Sequence, residues 1–408
     1  ERGKGVKQDY KKAREYYEKA AALNHVDAIY NLGVMYERGK GVKQDYKKAR
    51  EYYDRAAALN VPGAIYNLGV MYYNGEGVKQ DYRKAREYFE KAAAMNFSSA
   101  VYGLGVMYDQ GKGVKQDYKK AREYYDRAAA LNVPSAVYNL GVMYAQGKGV
   151  KQDYKKAREY YEKAAAMNVA SAFNNLGVMY YNGEVVEQDY KKAREYWEKA
   201  AAMNVAAAIN NLGAMYYNGY GVKQDYQKAR EYYEKAAAMN IDIAYNYLGY
   251  MYENGEGVKQ DYRKARELYE KGAELSNANC MMNLGRIHEN GLGIKQDINK
   301  AIEFYRKASS GGNEQAKKAL ARLNDSKSTT AAKATPKVAA KTTSGSRAKK
   351  AAADNNISPS LNGIETMFTN GVVLNKPRVA IFAFEDKSEG GNAPASAILD
   401  MMITELHQ

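Results

Sequence analysis

Polar and apolar positions along this chain repeat one short pattern almost without change. In residues 62–97 the run "DYRKAREYFEKAAAMN" puts Tyr82, Ala85, Phe89, Ala92 and Ala93 on one face at helical spacing. Lys84, Arg86, Glu87, Glu90 and Lys91 take the opposite face, where Glu87–Lys91 and Arg86–Glu90 are i,i+4 pairs worth about 0.2–0.5 kcal/mol each. Asp81 stands just ahead of the helix, placed to accept from the free amides of the first turn, a cap worth about 1 kcal/mol. Asn96 follows where a left-handed residue would end it. The preceding run "PGAIYNLGVMYYN" buries Ala64, Leu68, Met71 and Tyr72 as its own stripe, and Gly69 allows close backbone approach. The pattern predicts a helical hairpin with a glycine-bearing loop at Gly75 and Gly77.

Aligned on the capping residue, Asp9, Asp45, Asp81, Asp117, Asp153, Asp189, Asp225, Asp261 and Asp297 stand 36 residues apart. A Leu-Gly series from Leu32-Gly33 to Leu284-Gly285 keeps the same step. A fixed period in the thirties defines a solenoid, in which each unit buries its apolar face only against its neighbours. The whole pattern, A-x-x-x-L-G-x-M-Y-x-x-G-x-G-V-x-Q-D-Y-x-K-A-x-E-Y-Y-x-K-A-A, resembles the Sel-one-like repeat, a relative of the tetratricopeptide repeat. Departures from it are Val185 for a loop Gly, Cys280 for a helix Ala, and Ile287 and His288 for the usual Met and Tyr. The expected fold is all-α: a right-handed α-solenoid of 36-residue helix pairs over residues 1–324. Residues 313–324, with Glu314, Lys317, Lys318 and Arg322 on one face, read as its capping helix.

Composition shifts at residue 325. The segment 325–356 has no aromatic residue and carries seven Lys or Arg, which reads as a flexible basic linker. In 357–408, Ser358-Pro359 opens a helix, "KPRVAIFAFED" reads as a buried strand, and "APASAILDMMITELHQ" as an amphipathic helix, the start of an α/β segment cut short. Phe384-Glu385-Asp386 followed by Ala397, Asp400, Met401, Thr404 and Leu406 resembles the opening of the curli-secretion lipoprotein family, and TolB-like proteins begin alike. That resemblance implies a bacterial cell-envelope location. Residues 1–10 recur identically at 37–46, so the chain reads as starting inside a repeat, and the lack of a signal sequence says little about targeting.

Totals sharpen this reading only in part. Among 408 residues there are 40 Tyr against 7 Phe and 1 Trp, and a net charge of +15 admits anionic partners. Cys280 is the lone cysteine, so no internal disulfide forms. No run approaches the roughly 18–20 apolar residues of a spanning helix.

Catalytic chemistry finds little footing. "GVMYERGKG" (33–41) has five residues between its glycines and ends in Gly41, so it fails as a phosphate loop. Glu15 and Glu18 lie on a solvated face among Lys and Arg. His25, His288 and His407 are scattered, and Cys280 sits where other repeats have Ala, a packing position. We expect no enzyme activity, no cofactor, no metal and no small-molecule substrate. Lys and Arg alternate with Glu and Asp on the second helix, which argues against nucleic acid.

Binding is the remaining role. In tetratricopeptide-like arrays the first helices line the concave surface, and carrying those positions across gives Tyr30, Asn31, Tyr66, Asn67, Tyr73, Asn74, Tyr138 and Asn139. Later repeats add Asn174, Asn175, Tyr181, Asn210, Asn211, Tyr217, Asn246 and Tyr247. Amide and phenol groups suit another protein or an extended peptide, with a cell-wall glycan as a further candidate. The opposing reading makes the Asn before Leu-Gly a structural bond to the neighbouring repeat's loop. The expected function is a protein–protein scaffold. The alternatives are an envelope-assembly or secretion lipoprotein acting through its last domain, and an RNA-binding helical repeat.

Overall fold

The structure is a computed structural model that describes residues 7–332, with side chains as far as residue 324. The described residues form two units, 7–172 and 173–332. In the first, helices α1 (Tyr10–Ala22), α2 (Val26–Arg38), α3 (Tyr46–Ala58), α4 (Pro62–Asn74), α5 (Tyr82–Ala94), α6 (Ser98–Gln110), α7 (Tyr118–Ala130), α8 (Pro134–Gln146) and α9 (Tyr154–Ala166) follow in order. The second contains α10 (Ala170–Asn182), counted here by its larger part, α11 (Tyr190–Ala202), α12 (Ala206–Asn218), α13 (Tyr226–Ala238) and α14 (Asp242–Asn254). It continues with α15 (Tyr262–Glu274), α16 (Ala278–Asn290), α17 (Ile298–Ser310) and α18 (Glu314–Ala332). No strand occurs among the described residues, and each unit is an α-solenoid of 36-residue helix pairs.

Local sequence accounts for every boundary. The odd-numbered helices from α1 to α17 begin at the capping aspartates; Asp81 accepts from the Arg83 and Lys84 amides at 3.0 and 3.1 Å. Ser276 follows α15 and Gly312 follows α17 in left-handed backbone, and those from α1 to α13 stop at an Asn in the same conformation, such as Asn60 at φ +57°. There the Val61 and Asn60 amides return to the Ala56 and Ala57 carbonyls, satisfying groups the helix end would orphan. The alternate helices from α2 to α16 end at a left-handed glycine. Arg86 pairs with Glu90 at 3.3 Å as the spacing predicts, whereas Lys91 lies over the Tyr88 ring at 5.6 Å.

Within a unit, each first helix packs on the second helix of its own repeat and on that of the repeat before. The core is a lattice of fully buried alanines with one ring per repeat filling the hollow: Tyr53, Phe89, Tyr125 and Tyr161 in the first unit, then Trp197, Tyr233, Tyr269 and Tyr305. The Leu-Gly glycine exists for that ring. A Cβ on Gly141 would lie 2.7 Å from the Tyr161 ring, inside any van der Waals contact. The Trp197 indole N–H donates to the Asn174 carbonyl at 3.1 Å.

Val185 adopts φ +63° where the equivalent Gly149 and Gly221 sit at +66° and +65°. A β-branched side chain therefore occupies backbone that favours glycine. Helix α18 runs on to Ala332, into the segment expected to be linker. The expected linker beyond it and the α/β segment of 357–408 lie outside the described residues, as does His407.

Candidate partner-binding face

Successive first helices present the same row of positions within each unit, and the structure divides the expected site residues into two sets. Tyr66, Asn67, Tyr138, Asn139, Asn174, Asn175, Tyr181, Asn210, Asn211, Tyr217 and Tyr247 are buried. Tyr30, Asn31, Tyr73, Asn74 and Asn246 are half-buried and reach the surface.

Several buried amides are spent between repeats. Asn67 Nδ2 donates to Tyr30 Oη at 3.5 Å, and Asn139 Nδ2 to Tyr102 Oη at 3.3 Å. In the second unit Asn211 donates to Asn174 Oδ1 at 3.5 Å and Asn283 to Asn246 Oδ1 at 2.9 Å. Each link joins residues 37 apart, so an Asn on one first helix ties to the residue just before its own equivalent on the preceding first helix. These amides are interrepeat ties rather than a ladder open to a peptide, and the partner is the preceding first helix rather than a loop.

The C-terminal ends of the first helices carry the charge. Glu37 is buried and accepts from Tyr53 Oη at 2.7 Å; burial pushes its carboxyl up, and the Tyr53 bond only partly opposes this. In the second unit Glu253 accepts from Tyr269 at 3.0 Å and from both ends of the Arg286 fork at 2.5 and 2.6 Å. Glu289 repeats the arrangement with Tyr305 at 2.7 Å and Arg322 at 2.5 Å. An acid here therefore satisfies its own repeat's buried phenol, and the next repeat's arginine where one is present.

One position on this face was missed by sequence reasoning: the residue between the two loop glycines. It reaches back over the preceding repeat's aromatic residues. Lys112 lies 5.2 Å from the Tyr73 centroid, Lys148 lies 5.3 Å from that of Tyr118, and Tyr220 stacks on Tyr190 at 5.3 Å. Glu256 accepts from Tyr217 Oη at 2.5 Å. Glu76 accepts from Asn74 at 3.3 Å, and burial with the nearby Glu37 charge raises its carboxyl to about 7. The signal available in sequence was variation, since this position reads Lys40, Glu76, Lys112, Lys148, Glu184, Tyr220, Glu256 and Leu292 between otherwise constant neighbours.

Elsewhere the chemistry is inert. Cys280 is buried, its thiol pushed well up by burial, and its Sγ lies 3.9 Å from Asn246 Oδ1. His288 stacks on Phe304 at 5.5 Å, and burial lowers its pKa. Among the described residues no group of three His, Cys, Asp or Glu is placed to hold a metal, and no helix is long and apolar enough to cross a membrane.

Nine consecutive matches to the Sel1 repeat, covering residues 1–25, 26–61 and on in 36-residue steps to 278–313, define the class. The chain belongs to the Sel1 repeat family. It is similar to the crystal structure of c5321, a protective antigen present in uropathogenic Escherichia coli strains that displays an SLR fold. The two share 33% identity over 76% of this chain and 67% of that one, with a TM-score of 0.65. It is also similar to a Sel1 repeat protein from Oxalobacter formigenes, at 34% identity over 60% of this chain and 99% of that one, with a TM-score of 0.57. No curated protein matches the chain. Sel1 repeat arrays are generally protein-interaction scaffolds.

Proposed function

We propose that the array is a non-enzymatic scaffold that holds a partner protein along the first-helix face, taken as concave by likeness to tetratricopeptide arrays. One observation carries this. The second helices are near copies of one another, whereas the first helices differ at their C-terminal ends and at the loop residue that follows. Glu37-Arg38, Tyr73-Asn74, Asp109-Gln110, Ala145-Gln146, Tyr217-Asn218 and Glu253-Asn254 occupy one structural position. The first helices also vary at their opening residues, but the variation in this row includes half-buried positions, which supports a heterogeneous ligand surface. Contact with the partner falls to the half-buried Tyr30, Asn31, Tyr73, Asn74 and Asn246 with Arg38, Gln110 and Asn218. The buried Asn ties hold the row in register beneath.

A photo-cross-linking residue at Asn74, Gln110 or Asn218 in the full chain, expressed in its cell of origin, tests this against one at Glu51 on α3. Adducts from the first three positions and none from Glu51 are expected. Adducts formed only from within 357–408 would instead support the reading in which an envelope-type last domain carries the activity.

A further inference from the structure

A second face of the array is charged, and its chemistry points elsewhere. Two shallow pockets of equivalent position open at the outer edge, where a loop meets the start of a second helix. One, of about 470 Å³, is lined by Arg86, Tyr108, Val114, Lys115, Gln116, Asp117 and Lys120. The other, of about 500 Å³, lies 144 residues further on and is lined by Arg230, Tyr252, Val258, Lys259, Gln260 and Asp261. They are the same site four repeats apart.

The cations of this site recur throughout residues 7–172 as Arg14–Lys43–Lys48, Arg50–Lys79–Lys84, Arg86–Lys115–Lys120 and Arg122–Lys151–Lys156. Lys79, Lys115 and Lys151 are exposed and make no ion pair or hydrogen bond among the described residues. Arg86 and Arg122 meet Glu90 and Asp126 through Nε, at 3.3 and 3.6 Å, and no hydrogen bond to the terminal nitrogens of either fork is seen among the described residues. The acid within the pocket is already used: Asp117 accepts from the Lys119 and Lys120 amides, each at 3.0 Å. The array of residues 1–324 carries 52 Lys and Arg against 39 Asp and Glu, a surplus of 13, and these unpaired lysines are part of it.

The rings decide which polyanion fits. Tyr108 has Lys120 over its ring, 5.2 Å from the centroid, and Tyr124 stacked on it at 5.6 Å. Tyr72 with Lys84 and Tyr88, and Tyr144 with Lys156 and Tyr160, repeat this arrangement. Each of these rings is already engaged by a stacked phenol and a lysine, which disfavours it as a platform for a nucleobase, the contact on which single-strand binding depends. We propose that this edge of residues 7–172 binds a linear phosphate polymer without bases, one set of cations per repeat. The lysines act as point charges and the Arg forks as bidentate donors to phosphate oxygens.

The test measures binding of labelled long-chain sodium polyphosphate to the full chain, beside poly-aspartate, oligo(dT) and poly(glycerol phosphate). K79E/K115E/K151E is compared with the parent, and K79Q/K115Q/K151Q is the second variant should the first misfold. Glu187 already occupies the equivalent loop position, so the fold accommodates the change. Because 325–356 is itself basic, the variant-to-parent ratio is the readout. Loss of about tenfold or more in affinity for the phosphate polymers, with a salt slope reduced by roughly two to three and unchanged helicity, is expected. Whichever of polyphosphate and poly(glycerol phosphate) binds more tightly names the source. Affinity within twofold of the parent, or equally tight binding of poly-aspartate or oligo(dT), overturns the proposal.

Discussion

Tyr233 offers a sharp test of how the interrepeat polar ties work. Its ring is fully buried and its hydroxyl meets no partner among the described residues. Two substitutions explain this. The position of the acid that accepts the equivalent phenol in three other repeats (Glu37, Glu253 and Glu289) is here Tyr217, whose own hydroxyl goes to Glu256. The Asn expected on the next first helix is Tyr247, whose ring stacks on Tyr233 at 5.0 Å. The same change strands Asn210 Oδ1, which has no amide at 247 to accept from. A buried hydroxyl without a partner costs about 1–3 kcal/mol. Tyr233→Phe removes the hydroxyl and keeps the ring, so a gain of about 1 kcal/mol is expected. Tyr269→Phe, one repeat on, instead strips a bond from the charged and buried Glu253 and should cost about 1.5–3 kcal/mol. At about 2–4 °C per kcal/mol for a cooperative unit of this size, melts followed by circular dichroism should separate the two variants by at least 5 °C. Equal losses in both would refute the account and show that ring packing, not hydroxyl pairing, sets stability at this position.

Other perturbations follow from the same geometry. Val185→Gly should stabilise by about 1 kcal/mol, as relief of left-handed strain exceeds the entropy that Gly adds to the unfolded chain; a lower denaturation midpoint would count against strain there. Gly141→Ala forces a methyl to within 2.7 Å of the Tyr161 ring and should cost about 1–3 kcal/mol by urea titration. Glu76 has its folded-state pKa raised to about 7 from 4.5, so the folded chain binds the extra proton between those values. Its contribution to stability is therefore present at pH 5 and lost as pH rises through 7, by about 1–2 kcal/mol once partial solvation is allowed for. Glu76→Gln should flatten that stretch of the stability–pH curve, and an unchanged slope would locate the titration elsewhere.

Helix order, caps and the aromatic core position were legible because each is a local rule repeated at fixed spacing. Asp81, Asn96 and Gly69 name their roles from their immediate neighbours. Asn67 does not. Its partner Tyr30 lies 37 residues back, one off the period, and only the packing of successive first helices brings the pair together. Sequence therefore placed the Asn row on the right element and read an exposed ladder where most of the amides are buried. Tyr247 was harder still. It stands at an Asn position, yet its ring covers the Tyr233 phenol that Tyr30, Tyr102 and Tyr138 cover in their own repeats and that Asn210 is too short to reach. That exchange between neighbouring helices has no trace in the local pattern of either.

Trp197 has a consequence outside stability and binding. It is the only indole among 40 phenols, fully buried, 5.6 Å from Tyr181 and tied to a main-chain carbonyl. Light absorbed by nearby tyrosines drains to this one emitter, whose dry setting shifts its emission to the blue. The chain thus carries a native optical probe of the α10–α11 hairpin alone. Its red shift during unfolding, set beside the whole-chain ellipticity, reports whether that hairpin opens with the rest of the array or ahead of it.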